Sequence, residues 1–260
     1  MNIIVCIKQV PDTSEVSIDP ETNTLIREGV PSIINPYDEN AIEAGLQLKE
    51  EHGGTVTALS MGPPQAEEAL RQALAMGCDE AVLISDRACA GSDTLATSYV
   101  LAQAIHKIGS YNLVICGKQA FDGDTAQVGP GIAEQLGIPQ ATYAVDVKVD
   151  GNKIQVKRLL AGSYETVGMK LPALITADKH MNVPRHAGLR GVMAARKKEV
   201  PTWTLADIEA DPERCGLAGS PTTVIEVFPP QRSHKTERLE GEPEEVARQL
   251  VSRLREAQLL

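Results

Sequence analysis

Apolar residues in this chain fall into short unbroken blocks, separated by longer stretches in which they recur every three or four positions. Ile3 to Ile7, Thr55 to Leu59, Ala81 to Ile84 and Asn112 to Cys116 are the blocks. Runs of that length between turn residues predict strands buried on both faces. Asn35-Pro36-Tyr37-Asp38 opens the first helical stretch, with Ala41, Ala44, Gly45 and Leu48 on one face. Asn35 suits the N-cap and Pro36 the first helical position. Pro64 to Met76 predicts a second helix, and a third runs from Gly91-Ser92-Asp93-Thr94 through Ile105. Ile132 to Leu136 begins a fourth. Strands alternating with helices of this length imply the α/β class: a mostly parallel sheet, right-handed crossovers and helices on both faces.

Past Pro139 the rhythm changes. Thr142 to Val149, Lys153 to Leu159, Thr166 to Lys170 and Ala173 to Thr176 read as strands, and Asp150-Gly151 between alternating runs signals a hairpin. Antiparallel additions to one side of the sheet follow. Residues 9–34 are polar and turn-rich, with a hairpin expected around Val16-Ser17-Ile18 and Thr24-Leu25-Ile26. Residues 178–198 read as irregular and basic, and 207–242 as turn-rich, charged and proline-bearing. Glu244 to Leu259 then predicts an amphipathic helix with Val246, Leu250, Val251 and Leu254 on one side, which needs a surface to dock on. The expected organisation is an α/β domain over residues 1–200 and a C-terminal extension over 201–260.

The charge balance narrows the partners. Twenty-five basic residues against 35 acidic give −10, which argues against nucleic acid as a main partner. No stretch approaches the roughly 20 apolar residues of a membrane span, so no membrane insertion is expected. The five cysteines lack any metal-ligand spacing, so no metal site is predicted, and unpaired thiols suit a cytoplasmic location. A phosphate-loop signature, a nucleophile elbow and a zinc-protease helix are all missing, and the five histidines are scattered. No catalytic residue is therefore assigned.

The candidate chemistry gathers after the fourth strand, in Cys116-Gly117-Lys118-Gln119-Ala120-Phe121-Asp122-Gly123-Asp124-Thr125-Ala126-Gln127-Val128-Gly129-Pro130-Gly131. Strand, glycine-bearing turn and helix is where such sheets bind nucleotides, with phosphate at the helix start. Gly123, Gly129 and Gly131 would let backbone approach a ligand. An ordinary turn is the competing reading. Asp124 and Gln127 could form a capping box, but Pro130 would then interrupt the helix. Either the helix starts later, near Gln127, or its beginning is distorted. The loops Cys6 to Val10, Ser60 to Pro64 and Ser85 to Thr94 should converge on the same sheet edge. Thr94 and Thr97 there could be ordinary first-turn residues of a capped helix or phosphate contacts.

The segment G-K-Q-A-F-D-G-D-T-A-Q-V-G-P resembles the nucleotide-binding segment of electron transfer flavoprotein beta subunits. The opening V-C-I-K-Q-V-P-D, N-P-Y-D at Asn35 to Asp38 and S-M-G-P-P at Ser60 to Pro64 agree with that family in order and spacing. The stretch A-D-K-H-M-N-V-P-R-H-A-G-L-R-G-V-M-A-A-R-K-K is similar to its partner-recognition segment. The resemblance implies a layered, HUP-like adenine-nucleotide fold and a crevice made by Cys6, Asn35, Pro36, Tyr37, Asp38, Met61, residues 122–131 and Ala133. It implies FAD there, as in the electron-bifurcating branch with NADH as donor, or AMP as a structural nucleotide in the alternative. Gly123 stands where AMP-holding members tend to carry an acid. A heterodimer with the alpha subunit is implied, together with an acyl-CoA-type or other flavoprotein dehydrogenase and a ferredoxin or flavodoxin acceptor. Leu189 matches the apolar anchor of the recognition segment, with Arg190 beside it.

Overall fold

The computed structural model describes residues 1–12, 31–225 and 237–260. The hairpin expected around Val16 and Leu25 lies outside them. Two compact units divide the described chain, Met1–Ile225 and Glu226–Leu260.

In the first unit the elements run β1 (Asn2–Cys6), β2 (Gln9–Pro11), β3 (Ser32–Ile34), α1 (Pro36–His52), β4 (Thr55–Met61), α2 (Glu67–Met76), β5 (Glu80–Ile84) and α3 (Thr94–Ile108). They continue with β6 (Leu113–Gly117), α4 (Val128–Leu136), β7 (Gln140–Asp150), β8 (Lys153–Leu160), β9 (Ser163–Lys170), β10 (Ala173–Ala177), α5 (Leu189–Ala195) and β11 (Thr202–Trp203). Nine strands make one sheet in the order β11-β5-β4-β1-β6-β10-β7-β8-β9, and β2 pairs with β3 in a small antiparallel ribbon. All pairings from β11 to β7 are parallel, while β7-β8-β9 are antiparallel.

Side-chain alternation along each strand builds two apolar layers. Ile3 and Val5 of β1 face α1 and α2, whereas Ile4 and Cys6 face α3 and α4. The chain moves outward from β1 through β4 to β5, then returns to place β6 on the other side of β1. The strand order therefore reverses between β1 and β6. In such a sheet the crevice beyond the carboxyl ends of the two strands flanking the reversal is where ligands bind.

Three departures from the sequence expectation have clear causes. The last apolar run, β10, is not a peripheral addition but inserts between β6 and β7 as a fully buried parallel strand. Its neighbours β7, β8 and β9 supply the antiparallel part. Helix α5 occupies a stretch read as irregular, because seven residues cannot display a helical period. Residues 201–225, grouped by sequence with the extension, pack into the first unit: β11 extends the sheet beside β5, and Gly216 and Thr222 bond to Ser92 and Asp93.

The second unit carries α6 (Pro243–Glu256), which buries none of its residues and leaves Leu250 and Val251 exposed. No helix among the described residues is long and apolar enough to cross a membrane. All five cysteines are free and buried.

Candidate functional site

The reversal point is held by two polar side chains at the start of α1. Asp38 accepts from the Lys8 amide after β1 (2.7 Å) and from the Gly117 amide ending β6 (3.1 Å). One carboxylate thus fixes both strand ends flanking the crevice. Burial pushes its carboxyl up to about 7, against the opposing pull of Asn35 and of the Lys8 and Gly117 amides. A Cβ on Gly117 would fall on the Asp38 carboxylate, so that position must stay bare.

Asn35 sits at the N-cap of α1, yet its side chain caps nothing. Its amide nitrogen donates to the Gln119 carbonyl (2.8 Å) and its oxygen accepts from the Phe121 amide (2.9 Å). The expected cap is a latch on the loop after β6. Pro36 follows in the first turn and Tyr37 packs against Gly117. Cys6 pairs in register with Cys116 across β1 and β6, and both are buried. The hydrogen bond with Cys6, then burial, hold the Cys116 thiol far above its usual range. Met61 ends the adjacent strand β4, half-buried.

Among the described residues, none of the amides from Asp122 to Gly129 has a hydrogen-bond acceptor. Asp122, Gly123, Asp124 and Thr125 are exposed, and the Asp122 carboxylate is paired with Lys8 Nζ at 2.6 Å. Ala126 takes a left-handed φ of +55, an uncommon conformation for a side-chain-bearing residue and one found at functional turns. Helix α4 starts at Val128 with Gln127 as its N-cap, the later of the two starts left open by the sequence. Pro130 then lies in the first turn, where a missing amide costs no intrahelical bond. There is no capping side chain and no acid in that turn.

The three glycines do different work. A Cβ at Gly123 would meet no atom of the described residues within 4 Å. One at Gly129 would lie 2.6 Å from Thr176 Cγ2, and one at Gly131 would strike Ser98. Gly129 and Gly131 thus admit α4 against β10 and α3 rather than admitting a ligand. Val128 is half-buried against the α3 layer, and Ala133 is fully buried within it, so Ala133 packs and does not line the crevice.

The neighbouring helix start is closed. Asp93 accepts at one oxygen from the Leu95 and Ala96 amides (2.9 and 3.1 Å) and at the other from Thr222. Thr94 donates to Gln127 Oε1 at 3.0 Å, joining the starts of α3 and α4. Thr97 is half-buried, its amide bonded to the Asp93 carbonyl. Capping accounts for this start.

Sequence reasoning passed over a cluster beside the crevice. Lys118 Nζ pairs with Asp178 at 3.2 Å and lies 5.0 and 5.8 Å from the ring centres of Tyr143 and Tyr37. Buried Asp178 also holds His180 Nδ1 at 2.6 Å. Sixty residues separate Lys118 from Asp178, and only the β6–β10 pairing brings them together, so no local signal could reveal the cluster. Leu189 and Arg190 stand apart from the crevice on α5, with Leu189, Val183 and Met193 exposed.

The profile of the electron transfer flavoprotein domain family matches residues 22–208. The chain is 54% identical over 255 residues to electron transfer flavoprotein subunit beta of Thermoanaerobacterium thermosaccharolyticum, covering 98% of each chain. It is 50% identical over 262 residues to the caffeyl-CoA reductase-Etf complex subunit CarD of Acetobacterium woodii, covering 100% of each. Protein FixA of Azorhizobium caulinodans is 50% identical over 238 residues, 88% of this chain and 85% of that one.

Proposed function

This chain belongs to the electron transfer flavoprotein family, in its beta-subunit line, and from that premise we propose that it holds FAD in the crevice between β1 and β6. The carrying observation is the run of amides from Asp122 to Gly129 that have no acceptor among the described residues, ending in an uncapped helix start at the strand reversal. Such amides and the positive end of the helix dipole suit a diphosphate. Pairing with Lys8 offsets the Asp122 charge nearby, and open Gly123 leaves room for a dinucleotide. These residues fit the cofactor.

FAD held there would supply the redox chemistry, in this reading the splitting of an NADH electron pair between two acceptors of different potential. The protein's part is binding and orientation. The Asn35 latch and the Asp38 bridge hold the loop against the strand ends, and the amides at the uncapped start of α4 would take the phosphates. With no acid–base side chain required, the missing catalytic signature is the expected one.

The partner in this reading is a larger flavoprotein alpha subunit, onto which α6 docks. An isolated helix of about 14 residues is marginal in water, and the uncovered Leu250 and Val251 give it an apolar side to bury. Exposed Leu189 on α5 is the anchor for a flavoprotein dehydrogenase; the resemblance to a caffeyl-CoA reductase complex subunit supports an acyl-CoA-type partner. A ferredoxin or flavodoxin takes the low-potential electron. Denaturing the purified heterodimer tests the reading through what it releases. Two FAD per heterodimer are expected; one FAD and one AMP would replace this reading with a structural-nucleotide subunit in a simple electron carrier.

A further inference from the structure

The nucleotide loop and the docking segment are rooted on the same supports. Lys118, the first residue after β6, donates its amide to the Ala177 carbonyl and pairs its side chain with Asp178, the first residue after β10. Asp178 is 3% exposed and spends its carboxylate on Lys118, the His180 amide and His180 Nδ1. The second support is α1. Its start holds the nucleotide loop through Asn35 and Asp38. Its middle holds the docking segment: Asn40 and Asn182 bond reciprocally (2.9 and 3.0 Å), and Glu43 and Glu50 clamp the Arg185 guanidinium from two sides. At the far end of the segment, Arg71 donates to the Ala195 and Lys198 carbonyls, and Gly191 lies against the Ala75 carbonyl. The strained φ of +58 at Tyr143, whose amide is taken by Thr176 Oγ1, sits at the same junction and brings a ring to Lys118.

We propose that Asp178 is a positioning residue that ties the order of the docking segment, residues 178–198, to occupancy of the nucleotide loop. This rests on the reading of residues 122–131 as part of the nucleotide site. Among the described residues, the amides from Asp122 to Gly129 have no acceptor. A ligand that takes those amides restricts the loop down to its root at Lys118. An ordered Lys118 holds Asp178 and, through it, His180 and the start of the docking segment. Ordering shared in this way couples two sites without a change of shape. The docking partner would meet a preformed surface only on the loaded protein.

The test is hydrogen–deuterium exchange on the purified heterodimer, stripped of nucleotide and reloaded with FAD or, separately, AMP. Nucleotide content is measured by extraction. Reloading the wild type should slow exchange at residues 178–188 by about fivefold or more, the lower range of measured site couplings. Asp178→Asn should still take up nucleotide, yet lose that protection. Lys118→Met removes the same ion pair from the other side and is read by the same criterion if Asp178→Asn does not fold. Arg185→Gln should speed exchange in the segment in both states while leaving a reloading effect at residues 178–181. Unchanged exchange in the reloaded wild type overturns the proposal, as does full protection in both ion-pair variants. If the wild type takes up neither nucleotide, the site reading itself falls and the coupling falls with it. Extraction separates that result from simple uncoupling.

Discussion

Two helices begin side by side at the carboxyl edge of this sheet, and their first turns are built to opposite ends. At α3 the orphan amides are consumed by the Asp93 carboxylate, which is itself tied down by Thr222. At α4 the N-cap is Gln127, its side chain is turned away to Thr94, and the first-turn amides are left to whatever arrives. A capped start is a finished piece of scaffold. An uncapped one, beside a strand reversal, is an unfilled electrostatic need. One hydrogen bond between Thr94 and Gln127 fixes the distance between the finished and unfinished ends.

A third helix start gives the largest way to sharpen that contrast. The carboxylate at the start of α1, Asp38, faces strand amides rather than its own helix, and its folded pKa is raised to about 7 from an ordinary 3.8. A raised carboxyl favours the folded state most below the unfolded pKa, and that contribution is lost as pH rises through 7. The loss amounts to about 4 kcal/mol between pH 4 and 7.5. Asp38→Asn should therefore remove this share of the pH slope, read from urea midpoints across that range. A slope equal to wild type would show that Asp38 ionises freely.

Giving the open start a charge should break the contrast at the level of binding. Gly123→Asp sets its Cβ where no atom of the described residues lies within 4 Å, so the fold should keep its wild-type stability. A carboxylate a few Å from phosphate is repelled by about 1 to 4 kcal/mol at effective dielectrics of 80 to 20. Nucleotide occupancy should fall accordingly while the alpha subunit's flavin stays, measured by absorbance and extraction.

Opening the closed start should cost stability and leave occupancy alone. Asp93→Ala removes a cap worth about 1 to 2 kcal/mol. Burial opposes ionisation of Asp93, but the Ala96, Thr222 and Leu95 bonds outweigh it and keep its pKa below the usual carboxylate range. Its contribution is complete above that range and disappears as pH falls through the lowered value. The difference between wild type and Asp93→Ala in urea should shrink on acidification in the same way. The smallest effect belongs to the link itself. Thr94→Val breaks an exposed hydrogen bond worth about 0.5 kcal/mol, and should widen the spread of affinities for phosphate-bearing ligands more than it shifts the unfolding midpoint.

Much of this architecture was legible because short apolar runs and turn residues mark buried strands cleanly. Ile3 to Ile7 and Asn112 to Cys116 lie within a residue of β1 and β6. The site was legible only in outline. Asn35 looked like a cap because the sequence shows helix starts and cannot show that a loop 84 residues away would claim the side chain. Gly129 and Gly131 looked like ligand glycines because absence of a Cβ reads the same whether a phosphate or Thr176 needs the space. Strand order is a long-range outcome as well: nothing near Ala173 announces that β10 will slip between β6 and β7 and deliver Asp178 to Lys118.

The five buried thiols turn the molecule into its own unfolding reporter. Burial lifts Cys78 to about 12 and Cys89 to about 11, and Cys116 is held higher than an ordinary thiol. At neutral pH an alkylating reagent therefore finds almost no thiolate at Cys78, Cys89 or Cys116 until the region around each opens. Cys89 and Cys215 lie where residues 211–222 cross the start of α3, Cys6 and Cys116 at the strand reversal, and Cys78 just ahead of β5. The order in which mass-tagged cysteines accumulate is then a map of which part of the subunit breathes first, read without adding a probe.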